Sequence, residues 1–306
     1  MKLLRASLLA ASMAVALAAA PTYAALSVTA LNGTTVTPNT MANSLLAGGS
    51  GITINSVTYT GANGASGLFS GGTGIIGFES GIVLTSGSVN NVVGPNNNDG
   101  ASQNNGLGGD ASLQTLIPAG QQTFDASVLE IKFTPAGNKV TFSYVFGSEE
   151  YNEFVNSFND VFGFFVNGVN TALVGGIPVS IDNVNCGKPY NPPSGGVNCA
   201  LFRNNDLSDG GGSINTQLDG LTVVLSIEAN VNPNVENTLK LAIADVGDRA
   251  LDSAVFIAGG SFQICGAPGL PDCDGDNNGS VPEPGILALL GLVGVAAGWS
   301  KRRRGK

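Results

Sequence analysis

Four acids, Glu149, Glu150, Glu153 and Asp160, fall within twelve residues of the segment Phe146–Phe164, in a chain of which only 11% is charged. A second acid-rich stretch, Ala244–Ser253, carries Asp245, Asp248 and Asp252. Each follows an apolar, strand-like run, and two strand ends can meet at one edge of a sandwich. Neighbouring carboxylates repel one another unless a cation or protons intervene. Three chemistries fit. The first is an oxygen-only cation site, with Ca²⁺ favoured over transition metals, and its candidate ligands are Glu149, Glu150, Asp160, Asp245, Asp248 and Asp252. The second is a glycosidase-like pair, Glu149 or Glu150 with Asp245, whose carboxyls would stand about 5–9.5 Å apart. The third assigns the acids to separate turn caps, backbone acceptors and ion pairs with Arg249.

The chain has no histidine. That removes Ser-His-Asp and Cys-His catalysis, histidine-ligated zinc and the commonest general base near neutral pH. Its single tryptophan, Trp299, lies near the C-terminus, which leaves the rest of the chain without a tryptophan platform for a sugar ring. An extracellular carbohydrate-active enzyme using paired carboxylates is the alternative. A non-enzymatic surface or matrix protein is the leading expectation, with no cofactor beyond the candidate Ca²⁺.

The two ends carry addresses. Residues 1–24 place Lys2 and Arg5 before an apolar run and end on a small-residue site at Ala24, the layout of a secretory signal peptide. At the other end, Pro282-Glu283-Pro284 precedes an apolar run from Gly285 to Trp299 and then five basic residues. Fifteen helical residues reach roughly 22 Å, short of the ~30 Å hydrocarbon core, and the basic cluster belongs on the cytoplasmic side. This end resembles a PEP-CTERM sorting signal. The resemblance implies an inner-membrane tail anchor, processing by an exosortase, and a final place at the cell surface or outside the cell among exopolysaccharide, as in a biofilm. Extracellular polysaccharide or other surface proteins are then the expected partners.

Seven of the 13 basic residues lie in these ends, so 25–281 keeps six against 21 acids, a net charge of −15. Such a domain is a poor partner for nucleic acid or an anionic membrane surface. Four cysteines, in an exported chain, favour the bridges Cys186–Cys199 and Cys265–Cys273 by proximity.

The elements expected to hold the acids are strands. Val-, Ile- and Phe-rich runs alternate with turn residues, which predicts strands at 52–60, 81–86, 128–134, 139–146, 161–166, 171–174, 179–184, 222–228, 239–245 and 254–264. The runs 128–134 and 139–146 read as a hairpin turning at Pro135–Asn138, and Asn167-Gly168 as a tight turn. One short helix is expected at 111–117, capped by Asp110 and closed by Pro118. The fold class is therefore all-β: a single antiparallel β-sandwich or jelly-roll-like domain with one short helix, plus the signal peptide and a hydrophobic tail helix. Residues 92–110 read as an exposed loop and 266–281 as a linker. Asp272, Asp274, Asp276 and Glu283 fall at positions 1, 3, 5 and 12 of an EF-hand loop. Asn277 occupies the position that requires glycine, so the linker reading stands.

Three stretches carry a second resemblance: "GIIGFESGIVLTSG", "VTFSYVFGSEEYNEFVNSFNDVFGFFVNG" and "LKLAIADVGDRALDSAVFIAGGSF". They are similar to the choice-of-anchor L domain, a family of exported bacterial domains joined to differing surface anchors. Phe146-Gly147 stands where the family more often has Phe-Ala. The resemblance implies a surface role and no particular activity. The resulting organisation is a signal peptide (1–24), a β domain (25–265), a linker (266–281) and a sorting signal (282–306).

Overall fold

The computed structural model describes residues 25–190 and 195–265. The signal peptide, the linker and the sorting tail read from the sequence lie outside the described residues. No helix among the described residues is long and apolar enough to cross a membrane.

The described chain enters on β1 (Ser27–Ala30) and one α-helix, α1 (Pro38–Leu45). Thr37 accepts from the amide of Thr40 while the Thr40 hydroxyl group accepts from the amide of Thr37, and Pro38 opens the first turn. This helix buries Met41, Ala42 and Leu45. The sequence reading had no helix here, because Thr-Pro-Asn-Thr is also turn chemistry. At the position where a helix was expected, Asp110 does accept from the amides of Ser112 and Leu113, but only a 3-10 turn, Leu113–Thr115, forms.

Strands β2 (Ile52–Thr60), β3 (Ser66–Ser70) and β4 (Ser80–Thr85) follow, then β5 (Thr123–Pro135) and β6 (Lys139–Ser148). Next come β7 (Val161–Val166), β8 (Val169–Asn170), β9 (Leu173–Val174), β10 (Ile177–Pro178) and β11 (Phe202–Asn204). The chain ends its β run with β12 (Gly220–Thr222), β13 (Leu225–Asn230), β14 (Asn237–Val246), β15 (Ser253–Ala258) and β16 (Gln263–Ile264). One sheet of nine strands runs β1-β3-β4-β15-β6-β12-β11, with β13 and β16 also paired to β6. A second runs β2-β5-β14-β7-β8, and β9 and β10 form a small ribbon. Every pairing between these strands is antiparallel. The all-β sandwich expectation holds.

Four readings need correction. The expected hairpin does not exist: β5 pairs with β2 and β14, β6 belongs to the other sheet, and Ala136–Asn138 cross between sheets. Both strands alternate apolar residues. Leu129, Ile131 and Phe133 therefore meet Val140, Phe142, Tyr144 and Phe146 across the core, all fully or almost fully buried. The run 222–228 is broken. Between Leu221↔Gly147 and Leu225↔Tyr144 there is one extra residue, a bulge, and Thr222 Oγ1 accepts from the amide of Phe146 at the gap. The run 254–264 is interrupted at Gly259-Gly260, where the chain loops out before β16 resumes pairing farther along β6. Residues 179–184 form a buried turn, because the Asn183 amide group donates to the carbonyls of Val174, Ile177 and Pro178. The Asn167-Gly168 turn is as expected, with both residues at positive φ between β7 and β8.

The main core lies between the sheets. Phe142 stacks on Phe262 at 4.2 Å and meets Phe164 edge-on at 4.4 Å. Each sheet also covers part of its outer face. Val83, Val145 and Phe256 pack with Phe69, Ile76 and Val89, while Phe165, Ala242 and Ala244 pack with Leu113. Rigid apolar layers on three levels thus fix the strand ends.

Candidate functional site

Register brings both acid-rich segments to one end of the sandwich. Ser148 at the end of β6 is opposite Ser253 of β15 and Gly220 of β12, Ala254 is opposite Thr85, and Ala244 of β14 is opposite Val161 of β7. The connections leaving these ends carry the acids.

The inner group sits directly on the sheets. Ser253 Oγ donates to Asp160 Oδ2 at 2.7 Å, and the Val246 amide donates to Asp160 Oδ1 at 2.9 Å. Asp245 is next to it, and its Oδ1 has no partner. Burial first, and then the charge on Asp160, push the Asp245 carboxyl well up, and burial likewise raises Asp160. Glu150 joins this group. Burial, with Asp160, Asp248 and Glu153 nearby, pushes its carboxyl up to about 9, and its Oε2 is unpartnered.

Asp252 and Asp125 behave differently. Asp252 accepts from the amides of Ser88 and Gln103 and from Asn91 Nδ2, at 2.8–3.0 Å. Asp125 accepts from the amides of Asn105 and Leu107 and lies 3.9 Å from Arg249. Both tie the 86–110 loop to the sandwich. Arg249 itself stacks over Phe124 at 4.2 Å, so its charge is spent away from the inner group. Asp248 sits at the rim and accepts from the Ala250 amide.

The outer group was not foreseen as a set. The β6–β7 connection supplies Glu153, the 92–110 loop supplies Asp99, and the β11–β12 connection supplies Asp206 and Asp219. One carboxylate oxygen from each of Asp99, Glu153 and Asp206 lies within 4.8 Å of the others. Asp206 is held in place: Oδ1 accepts from the Ser208 amide and hydroxyl group and the Asp209 amide, and Oδ2 from the Asn152 amide and Nδ2. Behind the trio, Asp219 is fully buried. Its Oδ1 accepts from Asn96 Nδ2 at 2.6 Å, and its Oδ2 has no partner. Burial, then the charges on Asp99, Asp206 and Glu153, push the Asp219 carboxyl up to about 8. Glu149 turns to this side: Oε2 accepts from the Ala101 amide and Oε1 is unpartnered. Burial and Asp219 push it up to about 10.

The six acids read from the sequence thus divide between two neighbourhoods. Glu150, Asp160 and Asp245 meet, Asp252 and Asp248 flank them, and Glu149 faces the outer group. Asp99, Asp206 and Asp219 went unseen because they stand apart in sequence, within stretches rich in Asn and Gly. The available signal was Asn-Asn-Asp in two such loops, at 97–99 and 204–206. Cys186 and Cys199 are bridged as expected. Cys265 is also disulfide-bonded, and Cys273 lies outside the described residues.

The family model of the PEP-CTERM protein-sorting motif matches residues 280–304 and that of the choice-of-anchor L domain residues 27–263. No curated protein and no solved structure matches the chain. The sorting motif implies export, membrane-associated sorting and processing by an exosortase. With the domain match running over most of its 306 residues, and the motifs around Glu149, Asp160 and Asp245 inside it, the chain belongs to the choice-of-anchor L family.

Proposed function

We propose that the exosortase-processed protein is a non-catalytic structural or binding module of an exopolysaccharide-rich surface layer, whose acidic end is held together by calcium. One observation carries this reading. The carboxylates at the end of the sandwich are buried, several of their oxygens are unpartnered, and among the described residues no Lys or Arg forms an ion pair with Glu149, Glu150, Glu153, Asp160 or Asp245. Groups in that state call for a cation or protons.

The burial also weighs against glycoside hydrolysis. A catalytic acid must reach the glycosidic oxygen, yet Glu149, Glu150 and Asp245 are each only 1% exposed. The chain's net charge suits neutral glycans and cations better than bare anionic polymers.

The test follows the protein in an exosortase-bearing host, comparing the full chain with one truncated after Ser280. The full chain is expected in the matrix or surface fraction, and the truncated chain folded in the medium. The reading fails if the truncated chain remains in the matrix fraction as the full chain does. It also fails if purified protein cleaves a polysaccharide panel and Glu149→Gln abolishes the cleavage.

A further inference from the structure

We propose that Asp99, Glu153 and Asp206 form a divalent-cation site of calcium type, clamping three loops at the acidic end. This rests on the calcium reading above and names its ligands, which differ from those the sequence suggested.

The geometry is that of an oxygen cage. Two ligands opposite one another across a Ca²⁺ ion stand about 4.6–5.2 Å apart, twice a Ca–O bond. The three carboxylate oxygens lie within 4.8 Å of one another. The ligands come from three loops remote in sequence, so an ion here would cross-link the 92–110, 149–160 and 205–219 connections at one point. Asp99 is exposed, Glu153 half-buried and Asp206 buried, which leaves an entry path from solvent and room for water ligands.

Proximity of acids alone would not carry this. The second observation is Asp219, fully buried behind the trio, with Oδ2 unpartnered and with all three trio carboxylates among the charges acting on it. Glu153 Oε2, in the trio itself, is also unpartnered, and so is the buried Oδ1 of Asn152, whose amide groups hold Asp206. No Lys or Arg forms an ion pair with these acids among the described residues. Asp206 beside them accepts five hydrogen bonds, which fix its carboxylate in place. A cation answers every one of these features together.

The full chain, stripped with chelator and kept in detergent, is titrated calorimetrically with CaCl₂ at constant ionic strength. One equivalent of Ca²⁺ is expected to bind. Asp206→Asn, Glu153→Gln and Asp99→Asn should each weaken binding by about tenfold or more, while Asp248→Asn, beside the inner group, leaves it unchanged. Melting in chelator separates ligands from structural ties, and Asp99→Asn, at an exposed loop position, is the variant least able to unfold the chain. Asp99→Asn and Glu153→Gln melt in chelator at or above the parent, because repulsion is relieved, and lose the calcium-induced rise. Asp206→Asn also gives up an acceptor of the Asn152 or Ser208 and Asp209 groups and is read by calcium binding alone. The proposal is overturned if the parent binds no Ca²⁺ at millimolar concentration, or if Mg²⁺ at equal concentration displaces it. It is equally overturned if Asp99→Asn and Glu153→Gln lower melting to the same extent with and without calcium. Loss of matrix retention with intact calcium binding would count against the functional reading alone.

Discussion

Asp252 defines what a single carboxylate contributes at this end of the sandwich. It is buried, and it spends its oxygens on the amides of Ser88 and Gln103 and on the side chain of Asn91. It anchors a long loop and is saturated, whereas Asp219, equally buried, keeps an oxygen without a partner. The two were indistinguishable as letters, since which backbone amides reach a carboxylate is decided by the fold around it. Gly87 belongs to the same anchor. A Cβ there would overlap the Asp252 carboxylate. Asp252→Ala leaves three donors unmet, so a loss of about 1–3 kcal/mol is expected. Gly87→Ala should cost a similar amount by pushing the carboxylate away. Chemical denaturation checks both, and because they act through one group the double variant should lose less than the sum of the two. Full additivity would separate the glycine from the carboxylate.

At the scale of elements, alternation revealed the strands but not their partners. The bounds 52–60 and 161–166 were legible because both ends carry turn chemistry. The hairpin reading of 128–146 failed because alternation gives the facing of each strand, and two core-facing strands satisfy it equally well side by side or across a core. Phe142 shows which holds. It packs on Phe262 of its own sheet's far turn and on Phe164 of the opposite sheet. Phe142→Ala should therefore cost about 3–5 kcal/mol, the range for a large buried aromatic. The opening of the Cys186–Cys199 bridge, which closes a loop of sequence separation 13, should cost about 2–3 kcal/mol. Thermal unfolding of Phe142→Ala and of Cys186→Ser/Cys199→Ser would measure these, and a Phe142→Ala loss below 1 kcal/mol would contradict the two-sheet core.

For the whole molecule, the inner group sets a pH dependence that tests where calcium goes. Glu150, Asp160 and Asp245 are raised above their ordinary carboxyl range by burial first; the charge on Asp160 then raises Glu150 and Asp245, while Asp248 and Asp252 raise Asp160. The charges around them are acidic too, namely Asp248, Glu153, Asp252 and Asp125. The folded protein therefore holds protons that the unfolded chain releases near pH 4. Where the native state binds more protons, stability falls as pH rises. That contribution is complete below about pH 4 and is lost progressively towards pH 9, the value to which Glu150 is pushed. The metal-free protein should melt higher at pH 5 than at pH 8, the opposite of the behaviour given by salt-bridged carboxylates. Calcium bound by Asp99, Glu153 and Asp206 relieves only the share of the slope that Asp219 and Glu149 carry, so melting rises with calcium at both pH values and the inner group's downward slope survives. Saturation at a hundred times Kd would add about 2.7 kcal/mol. Were calcium instead held by Glu150, Asp160 and Asp245, it would replace their protons, and the slope would flatten or invert once calcium was added. Melting curves at pH 5 and pH 8, with chelator and with calcium, therefore distinguish the two neighbourhoods without any mutation. A metal-free protein that melts higher at pH 8 would refute the proton-holding inner group itself.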